Sequence, residues 1–199
     1  MRSEPVSPVV PDKAQAVLLA ALDVFARYGF RRSAMEDIAR AAGMSRPALY
    51  QHFRNKEDIA RSLVALYFDM AVTALETGLS CALPPAEALE RAFLGMAGQF
   101  KETLLDSPHG AELLDMGDTV APDLVRAGMA RKADVLAEWL RREAQAGRLR
   151  LEDPPEILAQ VMLAALDGAK TPPFALYRDR LKALARLFGR GLSSGAGAV

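Results

Sequence analysis

A short stretch of this 199-residue sequence concentrates side chains that can bind anions and flat hydrogen-bonding surfaces. Between Gly43 and Lys56 the chain has three basic residues and no acidic one. The polar members are Arg46, Tyr50, Gln51, His52, Arg54 and Lys56. Phenol, imidazole and cationic groups donate hydrogen bonds to phosphate oxygens, and a guanidinium can also bind N7 and O6 of guanine together. The chemistry that this stretch suggests is contact with nucleic acid.

The spacing of the apolar and small residues around this stretch predicts a helix-turn-helix. Ala39 is small where two short helices must cross, and Gly43 permits the positive φ that the turn needs. Leu49 would anchor the second helix on the first, with Ile38 and Phe53 completing a small core. A helical hairpin that binds nothing remains open from the spacing alone. The acid-free outer face favours a helix that enters the major groove of DNA.

The elements that must position these residues are predicted to be helices throughout. Ala, Leu, Glu and Arg dominate, and apolar residues recur with the helical period rather than every second residue. Capping residues predict the starts of four helices in the N-terminal third, at Asp12, Ser33 (with Glu36 as a capping box), Ser45 and Asn55. After a boundary near Pro84, helices are predicted over 86–106, 122–146, 155–169 and 174–190, with a loop or short helix around 107–119.

The composition limits the class of protein. Basic and acidic residues number 25 each and 51% of residues are apolar, which excludes wholesale disorder and a polybasic protein that coats nucleic acid. The single cysteine, Cys81, cannot form an internal disulfide, which indicates a reducing compartment. No signal peptide is recognisable in residues 1–11, and the longest apolar run is too short for a bilayer. We therefore expect a cytoplasmic protein without a membrane segment.

The stretch from Ser33 to Ile59 resembles the DNA-binding domain of the TetR family. The family pattern runs as a small-residue cap, an acidic-Ile-Ala core, Ala-Gly-hydrophobic-Ser, Leu-Tyr-x-His-Phe and a Lys-Glu pair. The sequence SAMEDIARAAGMSRPALYQHFRNKEDI meets almost every position, with Ser33 standing where Thr is common. The motif covers roughly the first third of the chain, and the remainder agrees with the family only in length and helical character.

The resemblance implies an all-α protein with two domains. A three-helix helix-turn-helix domain would span 12–56 and a larger helical ligand-binding and dimerisation domain 57–190, flanked by a disordered arm at 1–11 and a flexible tail at 191–199. The implied function is a transcriptional regulator, most often a repressor, which binds a palindromic DNA operator as a homodimer and releases it when a small apolar ligand binds. A TetR-like activator and a helical ligand-binding protein without operator binding remain open.

Roles on DNA follow from the resemblance, position by position. Phosphate contacts are implied for Ser33, Tyr50, His52 and Lys56. Contacts to bases, or places beside them, are implied for Arg46, Pro47, Ala48 and Gln51, and Ser45, the cap of this helix, is counted with the DNA-binding residues. Arg46 is the best candidate for reading guanine. A phosphate contact for Arg46 and an ordinary surface histidine at His52 remain the alternatives.

The second domain is expected to supply a ligand pocket and a dimer surface. The Met and aromatic residues that suit an adaptable apolar pocket, together with one leucine, are Phe93, Met96, Phe100, Met116, Met129, Leu136, Trp139 and Met162. The resemblance implies that the last two helices form a four-helix bundle with a second copy, and their apolar stripes contain Leu158, Val161, Met162, Leu166, Tyr177, Leu181, Leu184 and Phe188. Ordinary core packing within one chain is the alternative for each set.

Catalytic and metal-binding signals are poor. The run Gly191-Leu192-Ser193-Ser194-Gly195 matches the G-x-S-x-G pattern of a nucleophile elbow, but no strand precedes it, and we interpret it as a chance match. Asp106, His109, Asp115 and Asp118 lack the spacing of metal ligands. We therefore expect no enzyme activity, cofactor or metal site, although an α-helical enzyme remains a rival class.

Overall fold

The computed structural model describes residues 12–193, and these fold as nine α-helices. The helices are α1 (Asp12–Tyr28), α2 (Met35–Ala41), α3 (Arg46–His52), α4 (Lys56–Leu79), α5 (Pro85–Leu105), α6 (Gly110–Val120), α7 (Pro122–Gln145), α8 (Pro155–Gly168) and α9 (Phe174–Leu192). Within this range the only pairing of extended backbone is one antiparallel bridge between Leu149 and Ser193. The fold is therefore all-α, as predicted. The predicted arm at 1–11 and residues 194–199 of the predicted tail lie outside the described residues.

The start of α2 differs from the prediction by one residue. Ala34, not Ser33, is the N-cap, and its N–H donates to the carboxylate of Asp37 at 3.0 Å. The Ser33 hydroxyl instead donates to the carbonyl of Gly29 at 2.7 Å. The predicted capping box is wrong because the Ser33 hydroxyl is bonded to Gly29, just after α1, and Ala34 takes the cap position of α2.

The other two predicted caps of the helix-turn-helix are confirmed. The Ser45 hydroxyl accepts a hydrogen bond from the N–H of Ala48 at 3.3 Å, and Pro47 occupies the first turn of α3, where no helical acceptor is needed. The Asn55 amide oxygen accepts from the N–H of Asp58 at 2.8 Å and starts α4. These polar side chains fix where both helices begin.

Two large apolar cores lie along the molecule, with a small third cluster of Val64, Phe68 and Ala121. One contains Phe25, Ile38 and Leu49, but it also includes Leu63 of α4 and Leu113 of α6, so it extends beyond the first three helices. The other is formed by α4, α5, α7, α8 and α9 and contains the larger side chains of the C-terminal half, among them Phe93, Leu136, Trp139, Leu140 and Met162. Helices α4, α5 and α6 thus connect the helix-turn-helix to the rest of the bundle.

Helix α4 is the central element of the bundle. It packs against α1, α5, α6 and α7, and two ion pairs tie it to α7, Arg61 with Asp123 and Arg131 with Asp69. Among the described helices it alone is long and apolar enough to cross a bilayer by length and composition, with half of that segment buried inside the protein. Its apolar residues are used in the two cores, as in the core helix of a globular bundle.

Three segments of the C-terminal half differ from the sequence expectations. The region expected to be a loop or short helix contains the three-turn helix α6. Helix α5 is interrupted at Gly98, whose φ of 41° and ψ of −177° are not helical. Helix α9 continues through Leu192, past the predicted start of the tail at Gly191, and the N–H of Arg150 donates to the Leu192 carbonyl at 2.8 Å.

Candidate nucleic-acid interface and interior cavity

The turn between α2 and α3 has the geometry of a helix-turn-helix. Gly43 has a φ of +65°, which a residue with a side chain adopts only with strain, and the N–H of Met44 donates to the Ala39 carbonyl at 3.0 Å. Ala39 and Leu49 are buried at the crossing of the two helices. The turn therefore holds α3 at a fixed angle across α2, with its opposite face free.

The free face of α3 presents the residues expected to contact DNA. The exposed residues of this face are Ser45, Arg46, Pro47, Tyr50, Gln51 and His52. Ala48, between them, is half-buried. The Arg46 guanidinium lies 5.6 Å from the centroid of the Tyr50 ring, one turn later. A hydrogen bond to Tyr50 raises the pKa of Arg46. A short helix with a cationic, hydrogen-bonding and acid-free outer face is thus displayed to solvent.

Lys56 does not lie on this outer face as the phosphate-contact role implied. Its ammonium donates to the carbonyls of Phe30 at 3.0 Å, Arg31 at 3.0 Å and Ser33 at 3.2 Å. It also lies 4.9 Å from the centroid of the Phe30 ring. The three ammonium protons are therefore used inside the protein, where they hold the loop between α1 and α2.

Ser33 is the second predicted phosphate contact that the structure places differently. The residue is 4% exposed, and its hydroxyl is bonded to the Gly29 carbonyl. Arg54, by contrast, pairs with Asp58 at 3.3 Å while its side chain stays 87% exposed, so it remains accessible beside α3. The hydrogen bond from Arg54 lowers the pKa of Asp58, which keeps this pair charged.

A cavity of about 430 Å³ lies between the helix-turn-helix and the C-terminal bundle. Its wall includes Leu22 and Phe25 of α1, Tyr67 of α4, Phe100 of α5 and Met129 of α7. Helix α6 contributes the most continuous wall, residues 113–118. The size is in the range of sites for small organic molecules. Because α1 belongs to the helix-turn-helix, a molecule in this cavity would touch both parts of the protein.

Three of the eight predicted pocket residues line this cavity, namely Phe100, Met116 and Met129. The other five, Phe93, Met96, Leu136, Trp139 and Met162, belong to or pack against the C-terminal core instead. Helical period marked all eight as inward-facing, but it does not distinguish packed core from the wall of a void. The kink at Gly98 separates the two groups on α5, since Phe93 and Met96 precede it and Phe100 follows it.

Sequence reasoning missed the polar lining of the cavity. Lys101, Lys132, Asp167 and Lys170 all line it, beside Tyr67. Burial, with repulsion from Lys170, lowers the pKa of Lys132 to about 8, and burial also holds the pKa of Lys101 well below its ordinary value. Burial raises the pKa of Tyr67, so this phenol stays protonated. The sequence feature that indicates this polar lining is a lysine on an otherwise apolar helical face, as at Lys132 between Met129 and Leu136.

Helix α6 joins this cavity to the loop that follows α1. The N–H of Arg31 donates to the Glu112 carboxylate at 2.9 Å, and the Arg32 guanidinium lies 3.0 Å from Nε2 of His109. Lys56 holds the same loop from the other side. The segment that precedes α2 is thus fastened to the starts of both α4 and α6, two helices that line the cavity.

The predicted dimer residues divide into buried and exposed groups. Met162, Leu166, Tyr177 and Leu181 are buried within the chain, so the predicted role of these four as a surface is wrong. Leu158, Leu184 and Phe188 are half-buried, whereas Val161 is 51% exposed. The large exposed apolar residues of α8 and α9 are Ile157, Val161, Leu176 and Leu187, the last 66% exposed. One side of each helix is buried in the core. The exposed side of α8 carries Ile157 and Val161, and that of α9 carries Leu176 and Leu187 among charged residues such as Arg186.

Comparisons with known proteins agree with the geometry of the N-terminal helices. Residues 17–63 match the family model for bacterial regulatory proteins of the tetR family. The chain is 32% identical over 109 residues to the HTH-type transcriptional repressor ComR of Escherichia coli (strain K12), covering 54% of this chain and 51% of ComR. It is 28% identical over 165 residues to the HTH-type transcriptional repressor Rv1474c of Mycobacterium tuberculosis (strain ATCC 25618 / H37Rv), covering 78% and 79% of the two chains.

The whole fold is also similar to solved structures. One is SmeT, the repressor of the Stenotrophomonas maltophilia multidrug efflux pump SmeDEF, with a TM-score of 0.67 at 23% identity over 94% of this chain and 92% of SmeT. SmeT has also been solved in complex with triclosan, and that chain gives a TM-score of 0.65.

Proposed function

Because this chain belongs to the TetR family of bacterial regulatory proteins, we propose that it is a repressor that binds a palindromic DNA operator as a homodimer and releases it when a small molecule enters the cavity. The observation that carries the proposal is the exposed face of α3. It is held at a fixed angle by the turn at Gly43 and offers Arg46, Tyr50 and Gln51 to a partner. The protein would act in the cytoplasm, where its DNA is.

The proposed DNA contacts are those of the α3 face. Ser45, Arg46, Pro47, Ala48, Tyr50, Gln51 and His52 would enter the major groove or touch its phosphates, and Arg54 is added as an exposed cation beside them. Lys56 and Ser33 would act indirectly, by holding the loop before α2. The DNA-binding unit is kept at 12–56 and the ligand-binding and dimerisation unit at 57–190, joined through the continuous α4.

The dimer surface is proposed on the uncovered side of α8 and α9. A single α3 contacts too few base pairs to select one site on DNA. Two copies of the protein related by a two-fold axis contact two half-sites. Ile157 and Val161 lie one turn apart on α8, and Leu187 lies on α9. Exposed apolar patches mark protein interfaces, and these exposed side chains lie on two helices that contact each other.

Selection of bound sequences from a random duplex library tests the operator proposal. We expect enriched sequences to contain an inverted repeat whose half-sites are one helical turn apart or a multiple of it. Recovery of no enriched sequence, with no salt-dependent binding to any duplex, would leave a helical ligand-binding protein without an operator. Enrichment of a single half-site would contradict the two-fold dimer.

Arg46→Ala tests which contact reads sequence. If the guanidinium binds a guanine edge, the variant loses about 1–3 kcal/mol of discrimination at one position of each half-site. Operator affinities of wild type and variant, measured by fluorescence anisotropy on duplexes substituted at each position, give this value. Equal weakening on every duplex would assign Arg46 to a phosphate instead. Arg27→Ala, on the exposed end of α1, is the control.

A further inference from the structure

Two lysine side chains of the cavity are buried without a carboxylate of their own. Lys101 is 4% exposed and Lys132 is 6% exposed. Among the described residues, Lys101 makes no hydrogen bond or ion pair, and Lys132 makes one hydrogen bond, to the Tyr67 hydroxyl at 3.4 Å. A buried ammonium without an anion destabilises a folded protein, so methionine would be the more stable residue at both positions.

The two ammonium groups converge on one aromatic ring. The Nζ atom of Lys101 lies 4.5 Å from the centroid of the Tyr67 ring, and that of Lys132 lies 5.0 Å from it. Lys132 also lies 4.7 Å from the centroid of the Phe68 ring. The ring faces attract the cations but do not replace the hydrogen-bond acceptors that the N–H groups have lost. The side chains converge on the cavity, where an acceptor could enter.

The remaining charges near this point do not neutralise the pair. Lys170 adds a third cation, and it is ion-paired with Asp167. The other acidic residues of the lining, Asp115 and Asp118 on α6, are exposed. Burial, with repulsion from Lys170 and Lys132, lowers the pKa of Lys101, and the attraction of Asp167 opposes this shift only in part.

We propose that the cavity binds a small carboxylate with an apolar skeleton, whose carboxylate oxygens accept hydrogen bonds from Lys101 and Lys132. The apolar wall formed by Leu22, Val64 and Met129 would take the skeleton. A singly charged head group is favoured over a phosphate dianion because three aspartates also line the cavity. The proposal names the ligand class of the site described under Proposed function, and its link to DNA release depends on that function. It narrows the small apolar ligand expected from the sequence to one with a carboxylate head group.

Direct binding without DNA tests the ligand class. Butanoate, octanoate, benzoate and 2-naphthoate are titrated into the full chain by calorimetry, each beside the alcohol of the same skeleton. We expect at least one carboxylate to bind about tenfold or more tightly than its alcohol, since hydrogen bonds to charged groups carry the difference. Equal affinity for acid and alcohol, or binding of none of the four acids, would overturn the proposal.

Two lysine variants separate a ligand role from a structural one. Lys101→Met and Lys132→Met should weaken carboxylate binding about tenfold or more while raising the melting temperature of the free protein, because each removes a buried charge. Lys13→Met, an exposed lysine on α1, is the matched control and should change neither property. Variants that bind the carboxylate as wild type does, or that melt at lower temperature and lose no binding, would contradict the proposal.

Operator binding is measured in parallel, so that the two proposals fail separately. If the carboxylate binds but does not release DNA, the ligand class stands and the regulatory function fails. If the operator binds and no carboxylate does, the function stands and the ligand class fails.

Discussion

Lys56 acts as a clamp on the backbone between α1 and α2. Its ammonium satisfies three carbonyls that would otherwise point into a half-buried space, and it packs on the Phe30 ring. Lysine suits this position because one ammonium has three donors on a flexible stem. An exposed lysine at this position would be interpreted as a phosphate contact. The position of the ammonium group therefore distinguishes a phosphate contact from a clamp on the backbone.

Lys56→Ala should therefore reduce the free energy of unfolding by about 2 kcal/mol, because charged hydrogen bonds to three carbonyls are lost together. Urea denaturation followed by circular dichroism measures this value. Arg54→Ala, which removes an exposed ion pair two residues away, should change it by less than about 1 kcal/mol. Unchanged stability in Lys56→Ala, combined with weaker DNA binding, would restore the phosphate-contact role.

Lys132 makes the stability of the protein depend on pH in the alkaline range. Burial lowers its pKa from 10.5 to about 8, so between these values the unfolded chain binds more protons than the folded one. The contribution of Lys132 to the free energy of unfolding must therefore increase between about pH 8 and about pH 10.5. Below pH 8 this contribution stays constant. The other titratable groups that face the Lys132 ammonium are Lys101, Lys170, Asp167 and Tyr67. All four remain present in any variant at position 132.

The measurement is the difference in free energy of unfolding between wild type and Lys132→Met at pH 7, 8, 9 and 10. The variant should be the more stable at pH 7, and the gap should narrow as pH rises above 8. A gap that is constant across all four pH values would mean that Lys132 keeps an ordinary pKa in the folded protein.

At the scale of elements, α6 is the part that connects the cavity to the helix-turn-helix. Its residues 113–118 line the cavity, and its first turn holds the loop after α1 through Glu112 and His109. Helix α4 makes a second connection, from Lys56 at its start to Tyr67 in the cavity wall. A ligand that shifts either helix would thus change the support of α2 and α3, which is the kind of coupling that allosteric release of DNA needs.

Glu112→Ala should loosen the loop before α2 without unfolding the bundle. The Arg31 N–H loses a charged acceptor, so we expect amide hydrogen exchange over residues 30–34 to be about tenfold faster. Exchange in α8 serves as the internal reference. Thr119→Ala, an exposed change at the other end of α6, should leave the loop unaffected. Unchanged exchange in Glu112→Ala would show that Lys56 and the contact between Arg32 and His109 hold the loop without Glu112.

At the scale of the whole molecule, the uncovered apolar residues of α8 and α9 predict a second copy. Val161→Glu combined with Leu187→Glu would place two charges in the proposed interface, where desolvation disfavours them. We expect the double variant to sediment as a monomer at micromolar concentration and to lose cooperative binding to a two-half-site operator. Met70→Glu replaces a similarly exposed apolar residue on α4 and should leave the oligomeric state unchanged. If the double variant remains a dimer, the interface lies on another part of the protein.

Most of the fold follows from the sequence because local rules decide it. Helical period, Gly43 in its turn, and the caps Ser45 and Asn55 depend on residues within one or two turns, and the helix bounds match the predictions within a few residues. The outer face of α3 is likewise visible in the sequence, since its inner side is fixed by Leu49 and Phe53. The helix-turn-helix and its resemblance to the TetR-family motif could therefore be found in the sequence, from the spacing together with the residue types.

The tertiary structure decided what long-range packing controls. Helical period marks a side chain as inward-facing but does not say whether it meets another side chain or a void, so Phe93 and Trp139 were indistinguishable from Phe100. Lys56 is expected from the sequence to be a surface cation, yet carbonyls 23 to 26 residues away hold its ammonium. The sequence does not state which residues distant in the chain come into contact, or which charges those contacts bury.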